Sequence, residues 1–257
     1  MYKMKKYRVR PVEEIEADLR MAKLVWFDPP GVFLADGNTI AMRTRDLVRV
    51  LDAARRNFPR VGSITCYGAA RFIRGRKVED LALLKEHGLK RIYMGLESGD
   101  DEILKMVDKG ATADDHVRAA HKVKEAGIEL SVYVLAGLGG KARSREHAIN
   151  TAKTLNRMEP DYIRVRTLVL MPGFPMYEDL LKGTFQECTG RDIAIEKRLL
   201  LENLDVSDSA FLSDHVSNYL PLYGKLPRDK QKMIELIDSV LAEDDPACLK
   251  PRRITSL

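Results

Sequence analysis

Between residues 32 and 170 the chain alternates short apolar runs with amphipathic helical segments, with a period of roughly 30 residues. Strands are expected at 32–35, 61–67, 90–97, 128–136 and 162–170, and helices at 46–58, 78–87, 114–126 and 144–158. A helix between two strands returns the chain to the end where it started, so consecutive strands run parallel with right-handed crossovers. The fold class is therefore α/β. A further helix is expected over 11–23, where Val12, Ile15, Leu19 and Ala22 recur at helical spacing behind Pro11. After Pro175 the pattern changes to helices over 193–203 and 230–241 with irregular polar links.

The most informative strand end lies in Lys90-Arg-Ile-Tyr-Met-Gly-Leu-Glu97. Ile92, Met94 and Leu96 alternate with Tyr93, Gly95 and Glu97, which leaves Glu97 at the C-terminal end of a buried strand. Ser98-Gly-Asp-Asp101 then supplies a turn and an N-cap, with acids in the first helical turn. Parallel sheets bind ligands outside these strand ends, so Glu97 is placed for chemistry or binding. It has two readings, a general acid or base and an acceptor for paired hydroxyls such as those of a ribose. No second carboxylate stands at matching spacing, which favours the hydroxyl acceptor. Lys109 either complements a helix C-terminus or pairs with a ligand carboxylate.

Two other strand ends carry small residues, Ala35-Asp36-Gly37 and Gly137-Leu138-Gly139-Gly140. Glycine there either punctuates a turn or lets a ligand approach the backbone, and Gly139-Gly140-Lys141 also admits a phosphate reading. No GxxxxGK[ST] loop and no GxGxxG fingerprint is present, which removes the common nucleotide folds.

Bulk properties exclude more than they assign. A net charge of +5 from 43 basic and 38 acidic residues is too small an excess to indicate nucleic acid. The local cluster Lys3, Lys5, Lys6, Arg8 and Arg10 reads as a solvated chain end. No apolar run approaches the ~18–20 residues of a membrane span, and the N-terminus lacks a signal-peptide core, so a cytoplasmic location is expected. Cys66, Cys188 and Cys248 form no CxxC pair and suggest neither a metal motif nor a disulfide framework.

Taken together, Phe33-Leu-Ala-Asp-Gly37, Gly95-Leu-Glu-Ser-Gly-Asp-Asp-Glu-Ile-Leu104 with Lys109-Gly110, Val134-Leu-Ala-Gly-Leu-Gly-Gly140 and Leu168-Val-Leu-Met-Pro-Gly-Phe-Pro-Met-Tyr177 resemble radical S-adenosylmethionine (SAM) enzymes. The nearest branch is the one that includes Elp3, MiaB and coproporphyrinogen dehydrogenase. The resemblance runs from Tyr2 to about Tyr177. It implies a partial TIM-type (β/α)6 barrel, here without its first strand and cluster loop, over residues 1–175, followed by a helical C-terminal extension over 176–257. It implies that Ala35, Asp36 and Gly37 meet the methionine amino group and that Glu97 accepts the ribose hydroxyls beside Ser98. It further implies that Lys109 pairs with the methionine carboxylate, that Gly137, Leu138 and Gly139 form the glycine-rich strand end, and that the backbone of Leu170 and Met171 meets adenine.

The resemblance also implies two cofactors, SAM and a [4Fe-4S] cluster held by CxxxCxxC in the loop after the first strand. That motif is not in this sequence. In relatives the last cluster cysteine precedes an aromatic residue, a basic run and Arg-Pro-Val-Glu-Glu, like the stretch from Tyr2 to Glu14 here. Met1 is therefore expected to fall just past the cluster loop, with the cluster and its electron donor belonging to the full-length protein. An unknown substrate completes the expected partners. A cluster-less module that binds SAM or another nucleoside is the competing account, and a barrel lyase with a phosphate site at 137–141 the weaker one.

Overall fold

The computed structural model of the protein describes residues 8–27, 29–243 and 249. Its helices are α1 (Val12–Val25), α2 (Thr44–Asn57), α3 (Ala70–Arg74), α4 (Val78–Glu86), α5 (Asp101–Met106), α6 (Ala113–Glu125), α7 (Gly140–Met158), α8 (Pro175–Leu181), α9 (Gly190–Asn203) and α10 (Lys230–Ala242). The strands are β1 (Val32–Leu34), β2 (Ile64–Tyr67), β3 (Leu89–Glu97), β4 (Glu129–Ala136), β5 (Tyr162–Thr167), β6 (Ser209–Ser213) and β7 (Leu222–Leu226). They form one seven-stranded, mostly parallel sheet in sequence order, with β1 and β7 as its edges. The α/β class and the five expected strands all stand. By contact density the chain divides into two compact units, one of residues up to Gly95 with Arg118–Ser131, the other of Leu96–Val117 with everything from Val132.

In the first unit, β1 pairs in parallel with β2 and β2 with β3. Helix α2 buries Leu47, Val50, Leu51 and Ala54, the stripe its periodicity marks, while its charged residues face solvent. Strand β3 buries Leu89, Ile92, Met94 and Leu96 and leaves the alternate residues partly open. Arg91 on that alternate face donates twice to Glu129 Oε2, at 2.8 and 2.6 Å.

In the second unit, β6 runs parallel to β5 and β7 antiparallel to β6. The extension after Pro175 is therefore not helical throughout, because it adds two strands to the sheet. Strand β5 stops at Thr167 rather than Leu170. Beyond the last β5–β6 pair, side chains replace the ladder, with Thr167 donating from its amide to Ser217 Oγ and from its hydroxyl to Asn218 Oδ1. Helix α7 starts four residues before the expected Ser144, with a break at Arg143 (φ −126°, ψ 18°) that joins its first turn to the body.

Candidate functional site

The second unit carries the strand ends of β3, β4 and β5. Glu97 ends β3 at φ 65°, a left-handed conformation that costs a non-glycine residue roughly 1 kcal/mol or more and that collects at binding sites. The turn beyond it is fixed by Asp100, whose Oδ1 accepts the Ile103 amide at the start of α5. Arg143 and Asn150 donate to the same carboxylate. Burial pushes the Asp100 carboxyl up, but these hydrogen bonds outweigh it and leave it below the usual carboxylate range. After α5 the left-handed residues Asp108 and Gly110 fold the chain back. Lys109 Nζ thereby reaches Glu97 Oε1 at 3.1 Å. Both side chains are partly open, at 24% and 30% exposure, and Glu97 Oε2 accepts from no described residue.

Ser98 is fully buried rather than open to a pocket. Its Oγ lies 2.8 Å from His147 Nδ1 and accepts the Asp100 amide. His147 Nε2 lies 3.1 Å from the Leu135 carbonyl oxygen, which it serves as donor, so Nδ1 accepts from Ser98.

The loop after β4 is tied down almost completely. Gly137 N–H donates to Glu196 Oε1, Leu138 N–H to the Leu135 carbonyl, Gly140 N–H to the Gly137 carbonyl and Lys141 N–H to the Gln186 carbonyl. Lys141 Nζ pairs with Asp192 at 3.7 Å. These commitments leave no nest of free amides for a phosphate. The glycines make room for protein: a Cβ on Gly137 would lie 2.8 Å from Ile193 Cδ1, and one on Gly140 2.7 Å from the Gln186 carbonyl oxygen. Leu170 and Met171 sit half-buried in irregular chain after β5.

In the first unit, Ala35, Asp36 and Gly37 follow β1 and are exposed. Asp36 and Gly37 both have positive φ, 64° and 96°, and nothing lies within 4 Å of a Cβ built on Gly37. Next to them Asn38 Oδ1 accepts the Ala69 amide while its buried Nδ2 has no partner among the described residues. Ala35, Asp36 and Asn38 open onto a groove of about 660 Å³ between α1, β1 and α2. Its apolar lining includes Leu19 and Trp26.

Sequence reasoning missed Glu196, His147, Lys197 and Asn218. A signal for the first existed: Ile193, Ala194, Leu200 and Leu201 form the buried stripe of α9, and Glu196 and Lys197 stand inside it. Lys197 Nζ donates to Asn218 Oδ1 at 2.8 Å, and burial pulls its ammonium down to about 7.

The residues present accommodate the two implied groups unequally. A carboxylate with one oxygen on a lysine and the other free suits paired hydroxyls, and the lysine keeps donors for a second carboxylate. A [4Fe-4S] cluster needs closely spaced thiolates. Cys66 in β2 and Cys188 before α9 are both buried, and burial pushes both thiols up to about 12. Cys248 lies outside the described residues. Among the described residues no group of three His, Cys, Asp or Glu is placed to hold a metal, so they do not fit a cluster. No described helix is long and apolar enough to cross a membrane.

An open, mostly parallel α/β sheet with its polar groups at the strand ends is the architecture of a partial TIM-type barrel. The radical SAM superfamily profile matches residues 2–155, more than half of the chain, and the chain belongs to that superfamily. Among solved structures it is similar to Elp3 of Methanocaldococcus infernus at 16% identity and a TM-score of 0.57, covering 90% of this chain and 58% of that one. It is also similar to coproporphyrinogen III oxidase (HemN) of Escherichia coli at 16% identity and a TM-score of 0.53, covering 68% and 44%. In sequence it is 23% identical over 154 residues to the heme chaperone HemW of Bacillus subtilis, covering 59% of this chain and 40% of that protein. It is 28% identical over 155 residues to an uncharacterised protein of Methanocaldococcus jannaschii, covering 60% and 44%. The chain thus spans less than half the length of these two relatives.

Proposed function

We propose that this chain is the SAM-binding part of a radical SAM enzyme. The observation that carries the reading is Glu97, held in a left-handed conformation with Oε1 on Lys109 and with Oε2 accepting from no described residue. Glu97 takes the ribose hydroxyls and Lys109 the methionine carboxylate. Gly137, Leu138 and Gly139 meet the cofactor through their Cα faces, since all but one of the loop's amides from Gly137 to Lys141 are committed. The backbone of Leu170 and Met171 takes adenine, with Ser98 as a support behind Glu97. A bound cluster would supply the reductive cleavage of SAM that leads to hydrogen-atom abstraction from substrate, and this chain's residues would orient SAM and exclude water.

We assign no part of that cleavage to a residue described here. We propose that the cluster ligands and a further strand lie outside this sequence, the strand seated on the open edge of β1 where the groove is. An electron donor then serves the full-length protein, in the cytoplasm. A second reading, a cluster-less module that binds SAM or another nucleoside, is favoured by the two buried, protonated cysteines.

One experiment separates them. The reading frame upstream of Met1 is sequenced, and the longest form is expressed and reconstituted anaerobically with iron and sulfide. Cluster absorbance with release of 5′-deoxyadenosine supports the radical enzyme. SAM binding by an iron-free natural protein supports the module, and binding by neither form overturns both.

A further inference from the structure

The segment from residue 185 to α9 lies beyond the matched residues 2–155, yet it braces the glycine loop. Phe185 and the Gln186 carbonyl back onto Gly140, and Ile193 fills the space beside Gly137. Glu196, inside the apolar stripe of α9, is 4% exposed. A carboxylate so placed is costly to bury, and a leucine in the stripe would pack without that cost. What the carboxylate does in return is specific. Oε1 accepts the Gly137 amide at 2.7 Å, where β4 enters the loop, and Oε2 accepts the Ser144 hydroxyl at 2.5 Å, where the body of α7 begins after its break. One carboxylate thereby clamps both ends of the loop. Gly137 is buried, and without Glu196 its amide would be left unpaired.

The network continues to β3. Glu196 Oε1 is 3.6 Å from His147 Nε2, and His147 Nδ1 accepts from Ser98, the neighbour of Glu97. Ser98, His147 and Glu196 have the composition of a nucleophile relay, but Ser98 is fully buried and its oxygen already accepts the Asp100 amide, so no substrate reaches it. The three groups fix relative positions instead.

We infer that Glu196 is a positioning residue that sets the shape of the Gly137–Gly139 loop for its ligand, so that the extension after Pro175 is part of the cofactor site. The inference rests on the reading that this loop meets SAM.

The test uses the full 257-residue chain, labelled with nitrogen-15, and SAM itself as the probe. Glu196→Gln keeps an oxygen for the Gly137 amide, and the Ser144 hydroxyl can turn to accept. It is expected to move the Gly137 amide proton upfield, because a charged acceptor is lost, and to retain SAM affinity within about threefold. Glu196→Leu, similar in size with no acceptor, is expected to weaken SAM binding at least about tenfold in a protein that stays folded at the assay temperature. Loss on Leu with rescue by Gln is not what a merely space-filling residue would give. Should the Leu variant fail to fold, Glu196→Asp takes its place: it keeps the charge but is too short to reach both partners, and weaker binding than the Gln variant supports the clamp. Equal SAM binding by wild type and the folded Leu variant, or by the Asp and Gln variants, overturns this inference and leaves the cofactor reading standing. No SAM binding by wild type overturns the cofactor reading, and this inference with it.

Discussion

Lys197 is the most quantitative handle on the fold. Its ammonium is drawn from 10.5 to about 7 by burial, partly opposed by the charge of Glu196. A lowered lysine pKa means that the unfolded chain binds the extra proton between those two values, so stability rises with pH across that window. The penalty is full below pH 7 and gone above pH 10.5. At about 1.4 kcal/mol per pH unit it amounts to roughly 4 kcal/mol at pH 7 and roughly 2 kcal/mol at pH 9. Lys197→Met removes it and loses the bond to Asn218, worth about 1 kcal/mol. Asn218 keeps its contacts to Thr167 Oγ1 and the Val165 carbonyl, so nothing else is orphaned. The variant is therefore expected to be about 3 kcal/mol more stable than wild type at pH 7, with the gap shrinking by about 2 kcal/mol at pH 9. Urea unfolding of both proteins at pH 7, 8 and 9 measures it. The comparison ends at pH 9 because Cys66 and Cys188, raised from 9.0 to about 12, favour the folded state below pH 9 and lose that contribution as pH climbs. A gap that stays constant from pH 7 to 9, or a Met variant less stable than wild type at pH 7, would refute the reasoning.

Other perturbations probe separate parts. Glu97→Gln keeps the shape and removes the charge facing Lys109; SAM affinity measured by calorimetry is expected to fall about tenfold, while stability changes by less than about 1 kcal/mol because the pair is partly exposed. Gly99→Ala would place a methyl against the Asn150 carbonyl and 2.6 Å from Thr151 Cα, so an unfolding cost of about 3 kcal/mol is expected in urea. Asp100→Ala removes the cap of α5 and leaves Asn150 unpaired, for about 2 kcal/mol near neutral pH. That contribution is present above the usual carboxylate range and fades as acid protonates Asp100, so the two proteins should converge at low pH. Leu34→Lys puts a charge on the edge strand β1, and sedimentation should show less self-association than wild type if that edge pairs between copies.

How much of this could be read from the amino acids depended on whether a pattern was local. The alternation in β3 and the Ser98–Asp101 turn are consecutive residues, and they located Glu97 at its strand end and Asp100 at its cap. Strands β6 and β7 were hidden because Ser209-Ala-Phe-Leu-Ser213 and Leu222-Tyr-Gly-Lys-Leu226 are short, mostly uncharged stretches that carry little period of their own. Their pairing, not their propensity, makes them strands. The glycines of the β4 turn were visible, but what they accommodate, Ile193 and Gln186, stands about 50 residues away in the chain and left no mark beside them. Glu196 and Lys197 broke an apolar stripe, which marked an anomaly without naming its partners.

The turn after β4 has most of its amides paired before any ligand arrives. Such a surface loses little conformational entropy when something docks on it, because the ordering was completed during folding. Association there should proceed in a single kinetic phase, with no slow closure of the turn, and the amide protons of Gly137, Gly140 and Lys141 should exchange slowly in the free chain. On the proposed cofactor reading, selectivity at this end of the sheet resides in a rigid outline, which a ligand of the wrong shape cannot coax into fitting.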